Sequence, residues 1–148
     1  MEENNNSLSD KIQTWLRDEE IQENKIEDNI NDFHITFWYS KDIKLEATVW
    51  NDKLTISYQH LFHENIKQFL SEENCNELDL LLHQQIPNFI ILLNVKNLNE
   101  WVGIKIYRDI WADSLTKTSF FDTIVAVQHS IYIVKIKERE SENFHSWS

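Results

Sequence analysis

A chain of 148 residues carries one glycine, Gly103, and one proline, Pro87. That scarcity excludes more than any motif in the chain. Loops that cradle phosphates need several glycines so that the backbone can approach the ligand closely. Neither a dinucleotide fingerprint nor a P-loop can be written here, which removes most nucleotide-dependent enzymes. Turns must come from other residues, and fifteen asparagines supply them, because Asn and Asp tolerate left-handed backbone. Hydrophobic residues at 41% and charged residues at 26% are globular values. A chain of this length suits one domain that buries roughly two-thirds of its unfolded surface.

The net charge is −11, and it is uneven: residues 1–32 carry −7 and residues 33–148 carry −4. Nucleic-acid binding needs a basic footprint, and an anionic membrane repels acids, so neither partner is expected. The longest apolar run, Phe89 to Leu93, is far short of the ~20 residues that span a bilayer. The opening residues lack a signal peptide's basic start and apolar middle. A lone cysteine, Cys75, fits a reducing cytoplasm.

Hydrophobic periodicity sets the element order. Ser7 and Asp10 have capping-box spacing before Leu8, Ile12, Trp15 and Leu16, which share a helical face. Residues 21–32 read as a connector. Three strands follow: Phe33, Ile35, Phe37 and Tyr39; then Ile43, Leu45, Ala47 and Val49; then Leu54, Ile56 and Tyr58. Each alternates with polar residues, as in a meander covered on one side. A helical region carries Phe62, Ile66, Phe69 and Leu70. After a break capped by Ser71 it continues with Cys75, Leu78, Leu81, Leu82 and Ile86, and Pro87 ends it. Residues 89–95 and 101–107 read as two more strands, joined through residues 96–100.

The segment from Thr116 onward is rich in β-branched residues, yet runs for more than twenty without Gly, Pro or Asn, too long for an ordinary strand. Phe120, Ile124, Val127, Ile131 and Val134 follow three- and four-residue spacing. A helix is expected, with Thr116 as N-cap and Asp113 in the turn before it.

The strand 104–110 (IKIYRDI), then Asp113-Ser114-Leu115-Thr116-Lys117, then an amphipathic helix, resembles an uncharacterised, mainly archaeal family of short proteins assigned to the type III secretion chaperone-like fold. The family's junction commonly reads Asp-Gly-Leu followed by Thr or Ser, and Ser114 stands in place of the glycine. Residues 11–19 (KIQTWLRDE) resemble the family's N-terminal Trp-Leu segment, and the likeness spans most of residues 8–137. It implies an α+β fold of order α-β-β-β-α-β-β-α with an antiparallel five-stranded sheet packed on helices. The secretion chaperones of this fold are acidic homodimers that bind partly unfolded protein segments.

Candidate chemistry is sparse. Asp109 and Asp113, with Tyr107 nearby, are spaced for a general acid and base, but the favoured reading is structural: Asp109 ends a strand and Asp113 begins the turn that leads into a helix. His60 and His63 have the three-residue spacing that shares a helical face, beside Glu64, without a third metal ligand at matching spacing. His34, His83, His129 and His145 are scattered. Cys75 reads as a small core residue. Of six tryptophans, Trp15 lies on an apolar helix face, while Trp38 points to the polar side of its strand. If Ile90 and Leu92 share that side, they form an apolar patch of the kind that marks contacts. The alternative is a central strand covered on both sides.

The expectation is a single domain over residues 1–148, with an ordered core of about 7–138 and a flexible tail of 139–148. It is a cytoplasmic, non-enzymatic protein-interaction or chaperone-like module without cofactor or bound metal, binding a protein partner or itself as a homodimer through Trp38, Ile90 and Leu92. The alternative is a small metal-dependent or acid/base hydrolase using Asp109 and Asp113 or His60 and His63.

Overall fold

A computed structural model describes residues 2–27, 31–62, 72–85, 87–93, 96 and 101–146, with side chains of 2–7, 72–75 and 141–146 left aside. Its elements are α1 (Glu2–Asp18), β1 (Glu23–Lys25), β2 (Phe33–Ser40), β3 (Ile43–Trp50), β4 (Lys53–Leu61), α2 (Glu72–His83), β5 (Asn88–Leu93), β6 (Trp101–Trp111), a 3-10 turn (Ala112–Ser114) and α3 (Lys117–Ser146). The fold is α+β. Among the described residues six strands, not five, hydrogen-bond in the order β1-β2-β3-β4-β6-β5, and the pairs β1/β2, β2/β3, β3/β4 and β5/β6 are antiparallel. The chain divides into two compact units. One comprises Met1–Ser57 with Arg108–Ile124, the other Tyr58–Tyr107 with Val125–Ser148.

In the first unit, β3 alternates perfectly: Ile43, Leu45, Ala47 and Val49 are buried, while Lys44, Glu46 and Trp50 are exposed. Ile35, Phe37, Leu54 and Ile56 join that core. Ile12 and Leu16 of α1 are fully buried, and the Trp15 ring meets Phe120 with centroids 5.5 Å apart. Helix α1 begins at Glu2, ahead of the expected Ser7 cap. Its C-terminus closes without glycine: Glu20 N–H donates to Arg17 O (2.9 Å) and Ile21 N–H to Leu16 O (2.8 Å), a Schellman pair that puts Glu20 at φ 59°. The expected connector after α1 contains the sixth strand. Glu23, Asn24 and Lys25 pair with Phe37, Thr36 and Ile35. Asn51 and Asp52, at φ 51° and 63°, turn β3 into β4 as a glycine-free hairpin.

In the second unit, Leu78 and Leu82 of α2, Ile104 and Ile106 of β6, and Val127, Ile131 and Val134 of α3 are buried. Helix α2 packs on β5, with the His83 and Phe89 rings edge-on at 5.0 Å. Lys137 reaches back from α3 to Glu77 of α2 at 2.7 Å. Gly103 sits where a Cβ would lie 2.5 Å from His60 O and 2.9 Å from Leu61 Cδ2, so the one glycine permits a backbone approach that any side chain would block. Strand β5 ends the sheet order, which overturns its reading as a central strand. Ile66, Phe69, Leu70, Ser71, Ile86, Val95 and most of the 96–100 connection lie outside the described residues.

Candidate functional site

Strand alternation, turns and one bulge place an aromatic and ionic surface on the outer face of the first unit's sheet. Trp38 pairs with Lys44 across β2 and β3, and the Lys44 ammonium lies 5.9 Å from the Trp38 ring centroid, within cation–π range. Lys44 and Trp50 share the outer face of β3, and Trp50 pairs with Lys53 of β4. Thr55, two residues on, donates its hydroxyl to Asp109 Oδ1 at 2.6 Å, while Lys53 Nζ stands 3.5 Å from Asp109 Oδ2. Asp109 therefore points outward from β6, and Trp111 follows it on the same face. Trp38, Trp50 and Trp111 are 52%, 51% and 60% exposed. Strand alternation alone makes Trp38 and Trp50 legible as outward-facing, since Trp50 continues the Lys44, Glu46 and Thr48 side of β3. Trp111 was missed because β6 continues past Tyr107 through Asp109 to Trp111.

That continuation places the two aspartates in different settings. Asp109 lies within a strand, held by Lys53 and Thr55, and Asp113 is exposed in the 3-10 turn. Ala112 N–H donates to Asp52 O at 2.8 Å, tying the turn to the β3–β4 hairpin. Thr116 then caps α3. Ser119 N–H donates to Thr116 Oγ1 (3.0 Å) and Thr116 N–H to Ser119 Oγ (2.8 Å), a reciprocal box with serine in the usual place of glutamate. The junction is a connector in which every short-range bond serves a turn or cap.

In the second unit, His60 Nε2–H donates to Glu138 Oε2 at 2.9 Å, with the two side chains 14% and 10% exposed. The Tyr58 ring stacks on His60 at 6.3 Å and Phe62 meets it edge-on at 5.7 Å. Burial raises the Tyr58 pKa above its ordinary value, and the Glu138 charge raises it further. His60 is thus engaged by Glu138. His63 and Glu64 lie outside the described residues. Among the described residues no three His, Cys, Asp or Glu side chains group to hold a metal. Ile90 is 50% exposed on β5, with Leu92 half-buried and Leu93 41% exposed. Helix α3 adds a stripe that one-face periodicity missed, Val125, Tyr132 and Ile136 at 50%, 46% and 53% exposure. No helix among the described residues is long and apolar enough to cross a membrane.

The fold has counterparts. An uncharacterized protein from Methanothermobacter thermautotrophicus superposes with a TM-score of 0.78 at 16% identity, over 88% of this chain and 96% of that one. YbjN from E. coli, described as a candidate transcription regulator, superposes at 0.57 with 10% identity over 92% of each chain. At these identities the likeness speaks for the fold alone. No curated protein matches the sequence. Residues 8–137, from buried Leu8 of α1 to ion-paired Lys137 of α3, match one family over most of the chain, and the chain belongs to that family, the uncharacterized conserved proteins of DUF2299.

Proposed function

We propose that the chain is a non-enzymatic, chaperone-like protein-interaction module that acts in the cytoplasm as a homodimer and docks a protein segment on the outer face of the first unit's sheet. The observation that carries this reading is the set of three half-exposed tryptophans, Trp38, Trp50 and Trp111, on that one face. Tryptophan is costly to leave in water and is enriched among the residues that dominate interface energies. The Lys44, Lys53, Thr55 and Asp109 side chains between them supply the polar groups that fix register in such a surface. The type III secretion chaperone-like assignment and the family's mainly archaeal spread belong to the same reading, supported by the element order and the archaeal fold counterpart.

Ile90 and the Val125–Tyr132–Ile136 stripe of the second unit are the surfaces offered for self-association. Light scattering on the purified chain should give twice the 17.8 kDa chain mass, and Ile136→Glu with Tyr132→Glu should return it to one. Capture of a protein from the native lysate should be lost in a Trp38→Ser, Trp50→Ser, Trp111→Ser variant that keeps its circular dichroism. A single-chain mass together with capture insensitive to the tryptophans would sink the reading. Stoichiometric Zn, Fe or Mn in the purified protein would favour the hydrolase instead.

A further inference from the structure

The first unit also holds a cavity of about 580 Å³, lined by Glu19, Ile21, Tyr39, Lys117, Thr118, Phe121 and Asp122. Its volume is that of a small-ligand site. Three local features build it. The Schellman turn at Glu20 closes α1 and sets Glu19 and Ile21 on one wall. The register of β2 against β3 slips between Trp38 and Ser40, so Tyr39 is the unpaired residue of a bulge, a device that re-aims a side chain. The first two turns of α3 contribute the remainder.

We propose that this cavity binds an organic cation, a guanidinium or alkylammonium group carried on an apolar stem. Tyr39 and Phe121 offer aromatic surfaces for a cation, Ile21 offers apolar surface for its stem, and Glu19 and Asp122 offer carboxylates. An anion is the competing occupant, because Lys117 and the start of α3 are positive. It loses on three counts. The Ser119 N–H is already spent on the Thr116 cap. Lys117 is drawn to Asp18 at 3.6 Å and Glu19 at 4.0 Å. Asp122 has no polar partner among the described residues and would face the anion directly. The −11 charge of the chain adds attraction for a cation at long range. Lys117 then acts as a tethered competitor: its long pairs with Asp18 and Glu19 place an ammonium beside one of the two cavity carboxylates, Glu19, and hold it loosely.

The test is an NMR titration of the full chain with N-acetyl-arginine methylamide, with butylguanidinium, and with N-acetyl-glutamate methylamide as the anionic control. Saturable shifts at Ile21, Tyr39 and Phe121 with either guanidinium, and none with the anion, are expected. Tighter binding of the capped arginine marks a peptide-borne side chain as the natural source, and tighter binding of butylguanidinium marks a free small-molecule guanidine. Glu19→Gln with Asp122→Asn should weaken binding about tenfold, the loss of charge-assisted contacts, and Lys117→Gln should strengthen it. These side chains are exposed, so the variants should fold. Absence of saturable guanidinium shifts, tighter anion binding, or an affinity indifferent to the double carboxylate variant would each overturn the proposal.

Discussion

His60 and Glu138 are joined by a 2.9 Å hydrogen bond between side chains that are 14% and 10% exposed, and the Tyr58 ring lies against the same histidine. Burial disfavours tyrosinate at Tyr58, and the Glu138 charge disfavours it further, so its pKa stands above the ordinary 10.0. The unfolded chain ionises this phenol at the ordinary value. Between that pH and the raised native value, the folded state keeps a proton that the unfolded state has lost. The stability tied to this phenol is therefore intact below pH 10 and falls as pH rises through that window. Alkaline denaturant titrations should show a steeper loss in the native sequence than in Tyr58→Phe.

Removing the carboxylate separates the two causes. In Glu138→Gln the Tyr58 pKa should fall yet remain above 10.0, because burial is the larger cause, as read by tyrosinate absorbance. Glu138→Ala leaves the His60 N–H without its acceptor in a largely buried place and should cost about 2 kcal/mol in urea unfolding.

Gly103→Ala should be the most damaging conservative change in the second unit. Its Cβ would press on the His60 carbonyl at 2.5 Å, where backbone must move, and a loss of about 3 kcal/mol is expected. Thermal unfolding followed by circular dichroism measures it.

Glu20→Gly should stabilise the chain. Glu20 holds the left-handed position of the α1 C-terminal turn at φ 59°, where a side chain costs roughly 1 kcal/mol and glycine none. Chemical denaturation should show a gain of about that size. A loss would mean that the Glu20 side chain supports the fold in some other way.

Thr116→Ala should lose about 1 kcal/mol, because it removes a reciprocal cap. Asp113→Ala should change stability by less than about 0.5 kcal/mol, as for an exposed position without a bonded partner among the described residues. Equal effects of the two would contradict the capping geometry.

Much of this architecture is legible in the sequence because burial imposes period. Ile43, Leu45, Ala47 and Val49 alternate in the chain and are buried in the sheet. Phe120, Ile124, Val127, Ile131 and Val134 recur at helical spacing and are all buried, so β-branched composition yields to length and pattern. What escapes reading has no side-chain period. Strand β1 is Glu-Asn-Lys, held by backbone pairing with β2. Asp109 looks like a strand end because aspartate is a poor strand former, but Thr55 and Lys53 compensate it from β4. The aromatic surface was visible in part, through Trp38. Trp50 follows by alternation along β3, and Trp111 joins it only once the full length of β6 is known. The bulge at Tyr39 follows from a register slip that local composition does not announce.

Strand β5 has a consequence for how the protein behaves once heated. Asn88–Leu93 reads Asn-Phe-Ile-Ile-Leu-Leu, six residues with no charge, proline or glycine, the composition of segments that stack into fibrils. While paired with β6 the strand is committed to its own sheet. Freed by melting, it can pair with its own kind in competition with its return to β6. Heat inactivation should therefore follow a clock set by protein concentration, and the yield on cooling should improve with dilution.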